Sequence, residues 1–473
     1  MKLRLLLPLF FCVDCFHLTP VLAQYASTAP IPKVDQLLTS LLDRTQVAGL
    51  SVSVMQSGEL VYSKGLGYAR VKEEIPMQPT TPSRTGSVAK VLTATALGKL
   101  ATDGKLDLDA PLGQYLPFLK EPFATLTTRQ VAGHTAGIPH RPAAARPESR
   151  HYAEVKETLS FFDDLSLDFT PGSQYQYSTL GYNLLAILIE ELSGKRYADY
   201  MAEAIFRPLG MDQTYPDPGA DLSQADAHLY YLNKGKLKWD RRPIDGSYKL
   251  AGAGFRSTSE DLVKMMVGYQ NGFISPGVRE TMFTSGLLAD GEATHVGLGW
   301  RLNRDIHDRP TIEHAGSWQG ARTVVVHYPA EDLSLAIMIN TQCVLFIEET
   351  AHLIADQFLS KTGGTPSVSK PAQPLTVRNT GYDGSVTTHT GELALTEGAP
   401  GILFMDMDSD WLRQNPVYPL GTAQDHALST PYGLLYLQLD FTQQPLGKLY
   451  QYQVLGDPFH MRQQPTLTLQ ASQ

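Results

Sequence analysis

Cysteine is nearly missing from this chain, with three in 473 residues. Cys12 and Cys15 fall in an N-terminal segment expected to be removed, which leaves Cys343 as the one thiol and excludes an internal disulfide in the mature chain. The setting of Cys343, "NTQCVLF", supplies no activating charge, so a packing role is expected. Charge is also scarce, at 18% of residues, and no basic run interrupts the sequence. With 39 Lys plus Arg against 48 Asp plus Glu and a net charge of -9, the chain cannot neutralise a phosphate backbone, which excludes nucleic acid as a partner. No apolar run approaches the roughly 20 residues that span a bilayer, so no integral membrane segment is expected once the N-terminus is removed. Metal-ligand spacings are lacking too. The 13 histidines are scattered without His-x-His or His-Glu-x-x-His. The run "DMDSDWLRQNPV" from Asp406 begins like a calcium loop, but Trp411 stands where such a loop needs Gly and Val417 where it needs Glu. No metal and no cofactor is expected.

What is present is enough apolar residue, 42%, for a large core, in a chain long enough for two domains. The first 23 residues carry Lys2 and Arg4, a short apolar stretch and Val21-Leu22-Ala23, the pattern of a signal peptide cleaved after Ala23. Export to a bacterial periplasm or medium is therefore expected. Residues 24–360 then form one domain. A helix over "PKVDQLLTSLLDR" precedes two strands joined at Ser57-Gly58, and an apolar-striped helix with Val88, Val91, Leu92 and Leu97 ends at Asp103-Gly104. Short helices with Pro- and Gly-rich connections follow, among them "YNLLAILIEELSG", which Gly194 closes. Thr258 and Asp261 have the spacing of a capping box for the next helix. Strand patterns return at "VGLGWRL", "RPTIEHAG", "ARTVVVHYP" and "LSLAIMIN", before a last amphipathic helix at "FIEETAHLIADQFL". Strands from both ends of the domain with helices between them imply an α+β fold (α/β in looser usage), with a helical subdomain in the middle. Residues 361–374 read as a Gly/Ser/Pro linker, and 375–473 as a small all-β domain of closely spaced strands.

The stretch "RTGSVAKVLTATA" places Ser87 and Lys90 three apart where a helix begins, hence on one face. A serine hydroxyl needs a neighbour to take its proton. A lysine can do so only when uncharged, which burial or a nearby cation achieves. A second Ser-x-x-Lys, Ser367 to Lys370, lies in the linker between Pro366 and Pro371, where neither a rigid helix nor a dry pocket is expected. Two companions support the first: Tyr177-Ser178-Thr179 just before a helix, and His314-Ala315-Gly316 at a strand end.

In these three motifs, over residues 33 to 360, the chain resembles the serine β-lactamase and penicillin-binding-protein-like family, including the class C β-lactamases and related esterases and peptidases of the S12 type. "GHTAGIP", "RPLGMDQT" and "GAGFRSTSEDL" are similar to phrases of the same family, the first giving His134 a structural part beneath the site. The resemblance implies a β-lactamase/transpeptidase-like domain with an antiparallel sheet flanked by helices. It also implies an acyl-enzyme on Ser87, Lys90 as base, Tyr177 as proton relay, Gly316 in the wall opposite the serine, and an oxyanion hole from the backbone N–H groups of Ser87 and Ser317.

Two departures bear on substrate. Thr179 stands where β-lactamases and transpeptidases usually carry Asn, and a hydroxyl cannot offer a carbonyl and an NH₂ together to an acylamide side chain. His314 opens the motif where Lys-Thr-Gly is frequent, and an ordinary imidazole, with a pKa of about 6.5, is mostly neutral at pH 7. A literal Lys361-Thr362-Gly363 sits at the linker, with no strand to carry it. The resulting expectation is an exported serine hydrolase acting on ester, peptide or cell-wall-derived substrates, with a true β-lactamase or a D-Ala-D-Ala carboxypeptidase as variants within the class. The competing class is a penicillin-binding sensor that acylates once and stops. If His314 contacts an anionic substrate, kcat/KM should rise as pH falls through about 6.5.

Overall fold

The computed structural model describes residues 31–142, 150–219, 221–233, 236–305, 307–342 and 347–359, together with the backbone of the strands between Leu375 and Ala471. The expected N-terminal signal segment, Cys343, Lys361-Thr362-Gly363 and the Ser367/Lys370 pair lie outside the described residues.

Helix α1 (Pro32–Thr45) starts with Pro at its first turn and leads into β1 (Gly49–Gln56) and β2 (Glu59–Arg70). Ser57 and Gly58 between these strands have φ of 52° and 79°. Two successive positive φ values give the turn whose twist matches a two-residue hairpin. A short β3 (Ile75–Pro76) follows on the edge. The remaining strands come from much later in the chain: β4 (Arg301–Arg304), β5 (Pro310–Trp318), β6 (Ala321–Tyr328) and β7 (Leu333–Ile339). They assemble in the order β3-β2-β1-β7-β6-β5-β4, every neighbour antiparallel, with Leu50 opposite Ile339 where the two ends of the domain meet.

Side chains alternate across this sheet, so each face has its own core. Leu50, Val52, Val54, Val324, Val326, Leu335, Ile337 and Ile339 pack with α1 and with α5 (Ile347–Ala355). Val325, Ala336 and Met338 point the other way, into a larger core built on α2 (Ala89–Thr102), α3 (Gly181–Ser193) and α4 (Ser259–Gln270). The hydroxyls of β1 also face this side, Ser53 Oγ lying 2.8 Å from Ser259 Oγ at the start of α4.

The stripe expected on α2 is an all-round burial instead: every residue from Ala89 to Gly98 is buried. The helix threads the centre of the core, and its polar residues are satisfied there. Thr93 Oγ1 donates to the Ala251 carbonyl at 2.7 Å and Thr95 Oγ1 pairs with Tyr269 OH at 2.8 Å. Helix α3 ends at Gly194, φ 66°, as its terminal glycine requires. At α4 the Thr258 hydroxyl accepts from Asp261 N–H at 3.1 Å, but the reciprocal half of the box is not made. Asp261 instead accepts from Gln213 N–H and Thr214 Oγ1, which ties the connection at 213–214 to the helix.

The C-terminal strands form a closed antiparallel barrel of Leu375–Asn379, Glu392–Glu397, Leu403–Asp406, Asn415–Pro419, Asp425–Thr430, Gly433–Leu439, Gly447–Leu455 and His460–Ala471, the first pairing with the last. Asp406 and Val417 thus belong to two adjacent strands. Leu434 is buried in the α1/α5 core and its N–H donates to Thr350 Oγ1 at 3.0 Å. The barrel therefore meets the layer on the opposite side of the sheet from α2.

Because α2 is enclosed on all sides, Leu92→Ala should cost on the order of 2–5 kcal/mol, read as a fall in the urea midpoint. Leu287→Ala, at a side chain 68% exposed, should leave the midpoint within error. Equal effects at the two positions would contradict the central placement of α2.

Candidate active site

Ser87 lies in a 3₁₀ turn, Gly86–Val88, immediately before α2. The approach to it is pinned from three sides. Arg84 Nη2 lies 2.7 Å from Asp217 Oδ2, both side chains fully buried, and donates to the Ile244 carbonyl at 2.7 Å. Thr85 N–H donates to the Phe255 carbonyl at 3.0 Å, and Thr323 Oγ1 donates to the Arg84 carbonyl at 3.0 Å. Arg84 and Arg256 sit opposite one another on adjacent short strands. Asp217 and Asp226 keep this buried like-charge pair tolerable.

Lys90, one turn into α2, is wholly buried. Its Nζ donates to the Gly252 carbonyl at 2.8 Å and to Thr179 Oγ1 at 3.1 Å, and lies 3.5 Å from Ser87 Oγ. Burial, reinforced by the positive charge of Arg301, holds the amine well below the ordinary lysine range. Arg301 itself pairs with Glu348 of α5, Nη1 to Oε1 at 3.4 Å.

Three tyrosines compete in "YQYSTLGY", and one histidine selects among them. The His134 carbonyl accepts from Gln176 N–H at 2.9 Å, while its Nδ1 accepts from Ser178 N–H at 3.1 Å. Residue 177 is thereby clamped between two bonds to His134, which itself sits at φ 63°. The Ser178 hydroxyl accepts from Gly181 N–H at 2.9 Å where α3 starts, fixing the segment onto the helix. Tyr175 and Tyr182 are left to the core. The Tyr177 hydroxyl lies near enough to that of Ser87 for the two to interact, and Lys90 Nζ lies 4.7 Å from the Tyr177 ring centroid. Burial raises the Tyr177 pKa, against the opposing pull of Arg301 and the Ser87 hydroxyl, so it is a neutral phenol at pH 7.

Around this ring stand His134, His140 and His314, with centroids at 4.5, 5.6 and 6.2 Å. His314 is buried, its Nδ1 2.7 Å from the Ala315 carbonyl. Burial, then the charges of Arg301 and Lys90, hold His314 well below 6.5; burial, then Lys90 and Arg301, do the same to His134. The expected pH dependence near 6.5 is therefore moved to lower pH, because His314 shares its pocket with cations and is shut off from water.

Opposite Ser87 runs the end of β5. A Cβ on Gly316 would lie 2.0 Å from the Thr85 carbonyl oxygen and 3.1 Å from Ser87 N, and one on Gly86, φ 51°, would lie 2.9 Å from Ser317 N. Only glycines permit this approach, which brings the two candidate oxyanion donors to one place. Thr179, expected in the substrate-binding wall, turns its hydroxyl to Lys90 and packs its methyl toward Gly252. Sequence reasoning missed the Gly252 carbonyl and Arg301. The glycines of "AGAGF" were the only available hint of the first, and nothing marked the second.

A partly exposed serine, a buried amine held well below the ordinary lysine range, a half-buried phenol and two converging backbone segments define a serine-hydrolase type of site on an α+β fold. The β-lactamase family model matches residues 34–356, and the chain belongs to the β-lactamase family. It is 32% identical over 309 residues to the serine β-lactamase-like protein LACTB, mitochondrial, of Homo sapiens, a match that covers 50% of this chain and 56% of that protein's length. It is 25% identical over 382 residues to penicillin-binding protein 4* of Bacillus subtilis, covering 77% of this chain and 83% of the relative. Among solved structures, the octameric penicillin-binding protein homologue from Pyrococcus abyssi superposes with a TM-score of 0.58 at 21% identity, covering 92% of this chain and 99% of that one. The D-amino acid amidase from Ochrobactrum anthropi superposes at 0.56 and 23%, over 65% and 91%.

The neutral imidazoles set a direction for stability with pH. Below about 6.5 the unfolded chain binds protons that folded His134 and His314 refuse, so stability should be full above that pH and fall as the pH drops from 7 to 5. Each group contributes up to about 1.4 kcal/mol per pH unit. Urea midpoints across that range check it, with a shallower slope expected in His314→Asn.

Proposed function

We propose that this protein is an exported serine hydrolase that cleaves ester or amide bonds through an acyl-enzyme on Ser87. The observation that carries the reading is the set of partners around Lys90. A neutral amine has two N–H donors and one lone pair. Its two short contacts are to Gly252 O, which can only accept, and Thr179 Oγ1, so both donors are engaged and the lone pair is left for the Ser87 hydroxyl.

In this mechanism the Ser87 hydroxyl passes its proton to Lys90 as Oγ bonds to the substrate carbonyl carbon. The developing oxyanion faces the N–H groups of Ser87 and Ser317. Tyr177, held as a phenol, gives its proton to the leaving alcohol or amine as the carbon–heteroatom bond breaks, and recovers one from Lys90. Water then attacks the acyl carbon, with the Lys90/Tyr177 pair taking its proton and returning one to Ser87 Oγ as the acyl carbon–Oγ bond breaks. The motif departures support esters and unusual peptides over β-lactam drugs. Thr179 is engaged with Lys90 and offers no amide pair, and neutral His314 offers no fixed cation for a carboxylate. The N-terminal pattern of residues 1–23 supports export.

A fluorophosphonate probe should label the wild type and not Ser87→Ala. Turnover of p-nitrophenyl esters should fall about 10²- to 10⁴-fold in Tyr177→Phe and at least as far in Lys90→Met, with nitrocefin a poor substrate throughout. Equal labelling of Ser87→Ala would remove the nucleophile. Labelling of the wild type without turnover would point to a sensor instead.

A further inference from the structure

Of the three imidazoles around Tyr177, the proposed mechanism leaves His140 without a part. His134 and His314 are buried, whereas His140 is half-exposed, so it alone of the three reaches the open cleft. The chain that carries it is bolted to the segment bearing Tyr177. The Gly137 carbonyl accepts from Asp168 N–H at 2.8 Å, the Pro139 carbonyl from Ser178 Oγ at 2.9 Å and the His140 carbonyl from Leu180 N–H at 3.3 Å. The His140 ring is thereby laid 5.6 Å from that of Tyr177, their planes 36° apart. Tyr177 thus stands between His134, which clamps its backbone from the buried side, and His140 on the open side.

The two nitrogens of this ring differ. Nδ1 is enclosed and makes no hydrogen bond among the described residues, so the half-exposed ring meets the cleft through the edge that carries Nε2. Burial, reinforced by the positive charge of Arg141, holds the imidazole below its ordinary pKa, against a smaller interaction with the Tyr177 backbone. A neutral imidazole has one N–H and one lone pair. With the proton on the enclosed Nδ1, the lone pair of Nε2 is presented to the cleft. Its two companions cannot serve in the same way. His134 Nδ1 already accepts from Ser178 N–H, and the His314 ring is shut off from water with Nδ1 2.7 Å from the Ala315 carbonyl.

Since Tyr177 protonates the leaving group, that group stands at the phenol, and the water that later attacks the acyl carbon enters the space it vacates. This water has two hydrogens, and only one passes to the Lys90/Tyr177 pair. We propose that His140 Nε2 accepts the other and so holds the water oxygen toward the acyl carbon, which makes His140 a catalytic residue of deacylation. The proposal rests on the reading of Ser87 as the acylated nucleophile. As the water oxygen bonds to the acyl carbon, one proton leaves to the pair, the acyl carbon–Oγ bond breaks and Ser87 Oγ takes a proton back. The hydrogen facing His140 departs with the product acid, so His140 itself neither gains nor loses a proton. Acylation needs no water and should not depend on it.

The test separates the two half-reactions on 4-nitrophenyl butyrate. The ratio kcat/KM reports the steps through acylation, and the deacylation constant is kcat divided by the acylated fraction, read by intact mass in acid-quenched samples at saturating ester. His140→Phe keeps a ring against Tyr177 without an acceptor, and His140→Gln returns an amide oxygen near the place of Nε2. Deacylation should slow about ten-fold in His140→Phe, the worth of one hydrogen bond, with the butyryl adduct accumulating and kcat/KM within about two-fold of wild type. His140→Gln should bring deacylation back to within about three-fold. Unchanged deacylation in His140→Phe, an equal fall in kcat/KM, or a His140→Gln no faster than His140→Phe would overturn the proposal. If Ser87→Ala turns over the ester as the wild type does, the reading of Ser87 itself fails.

Discussion

Burying a lysine without a carboxylate partner forces a choice between paying for an isolated charge and giving up the proton. At Lys90 burial and the positive charge of Arg301 favour the second. The contacts are a carbonyl and two hydroxyls, the surroundings are aromatic rings and neutral imidazoles, and the closest full charge acting on it is the positive one of Arg301. The domain is arranged to sustain that state. The helix carrying Lys90 is enclosed on all sides, and the segment before it is anchored through Arg84 and Thr85. An amine whose pKa is held this far down is suited to accept a proton from a serine, which is the role proposed for it.

The same field sorts the other groups. Burial, reinforced by the positive charge of Arg301, keeps His134 and His314 neutral, while burial keeps Tyr177 protonated. Lys90 and Tyr177 remain beside the Ser87 hydroxyl as the base and acid of the proposed acyl transfer. Arg301 acts from the outer edge of the sheet and is itself balanced by Glu348 on α5, the helix that also receives the barrel through Thr350 and Leu434. The electrostatics of the cleft are therefore partly set by a layer on the other face of the sheet.

Much of the scaffold was legible because local chemistry and global fold agree. Ser57-Gly58 can hardly be anything but a hairpin turn, Gly194 ends α3 in the conformation only glycine takes freely, and Thr258 caps α4. The three motifs were likewise visible as spacing and residue type. The stripe expected on α2 was misleading, because Thr93 and Thr95 look like a solvated face in a linear reading. They are buried only because Ala251, Tyr197 and Tyr269, distant in sequence, supply their partners.

By itself the sequence determined that a serine and a lysine would share one face of a helix start, that a Tyr-bearing segment would precede another helix, and that His-Ala-Gly would lie on a strand, which runs on to Trp318 rather than ending there. Three-residue spacing on a helix and alternation along a strand are properties of the backbone alone. Only the tertiary structure decided that His134 would hold Tyr177 rather than a neighbouring tyrosine at the serine, that the Gly252 carbonyl and Thr179 would occupy the donors of Lys90, and that His140 would come to rest against Tyr177. These are contacts between segments tens to hundreds of residues apart. Their geometry exists only once the sheet has joined the two ends of the domain around the central helix.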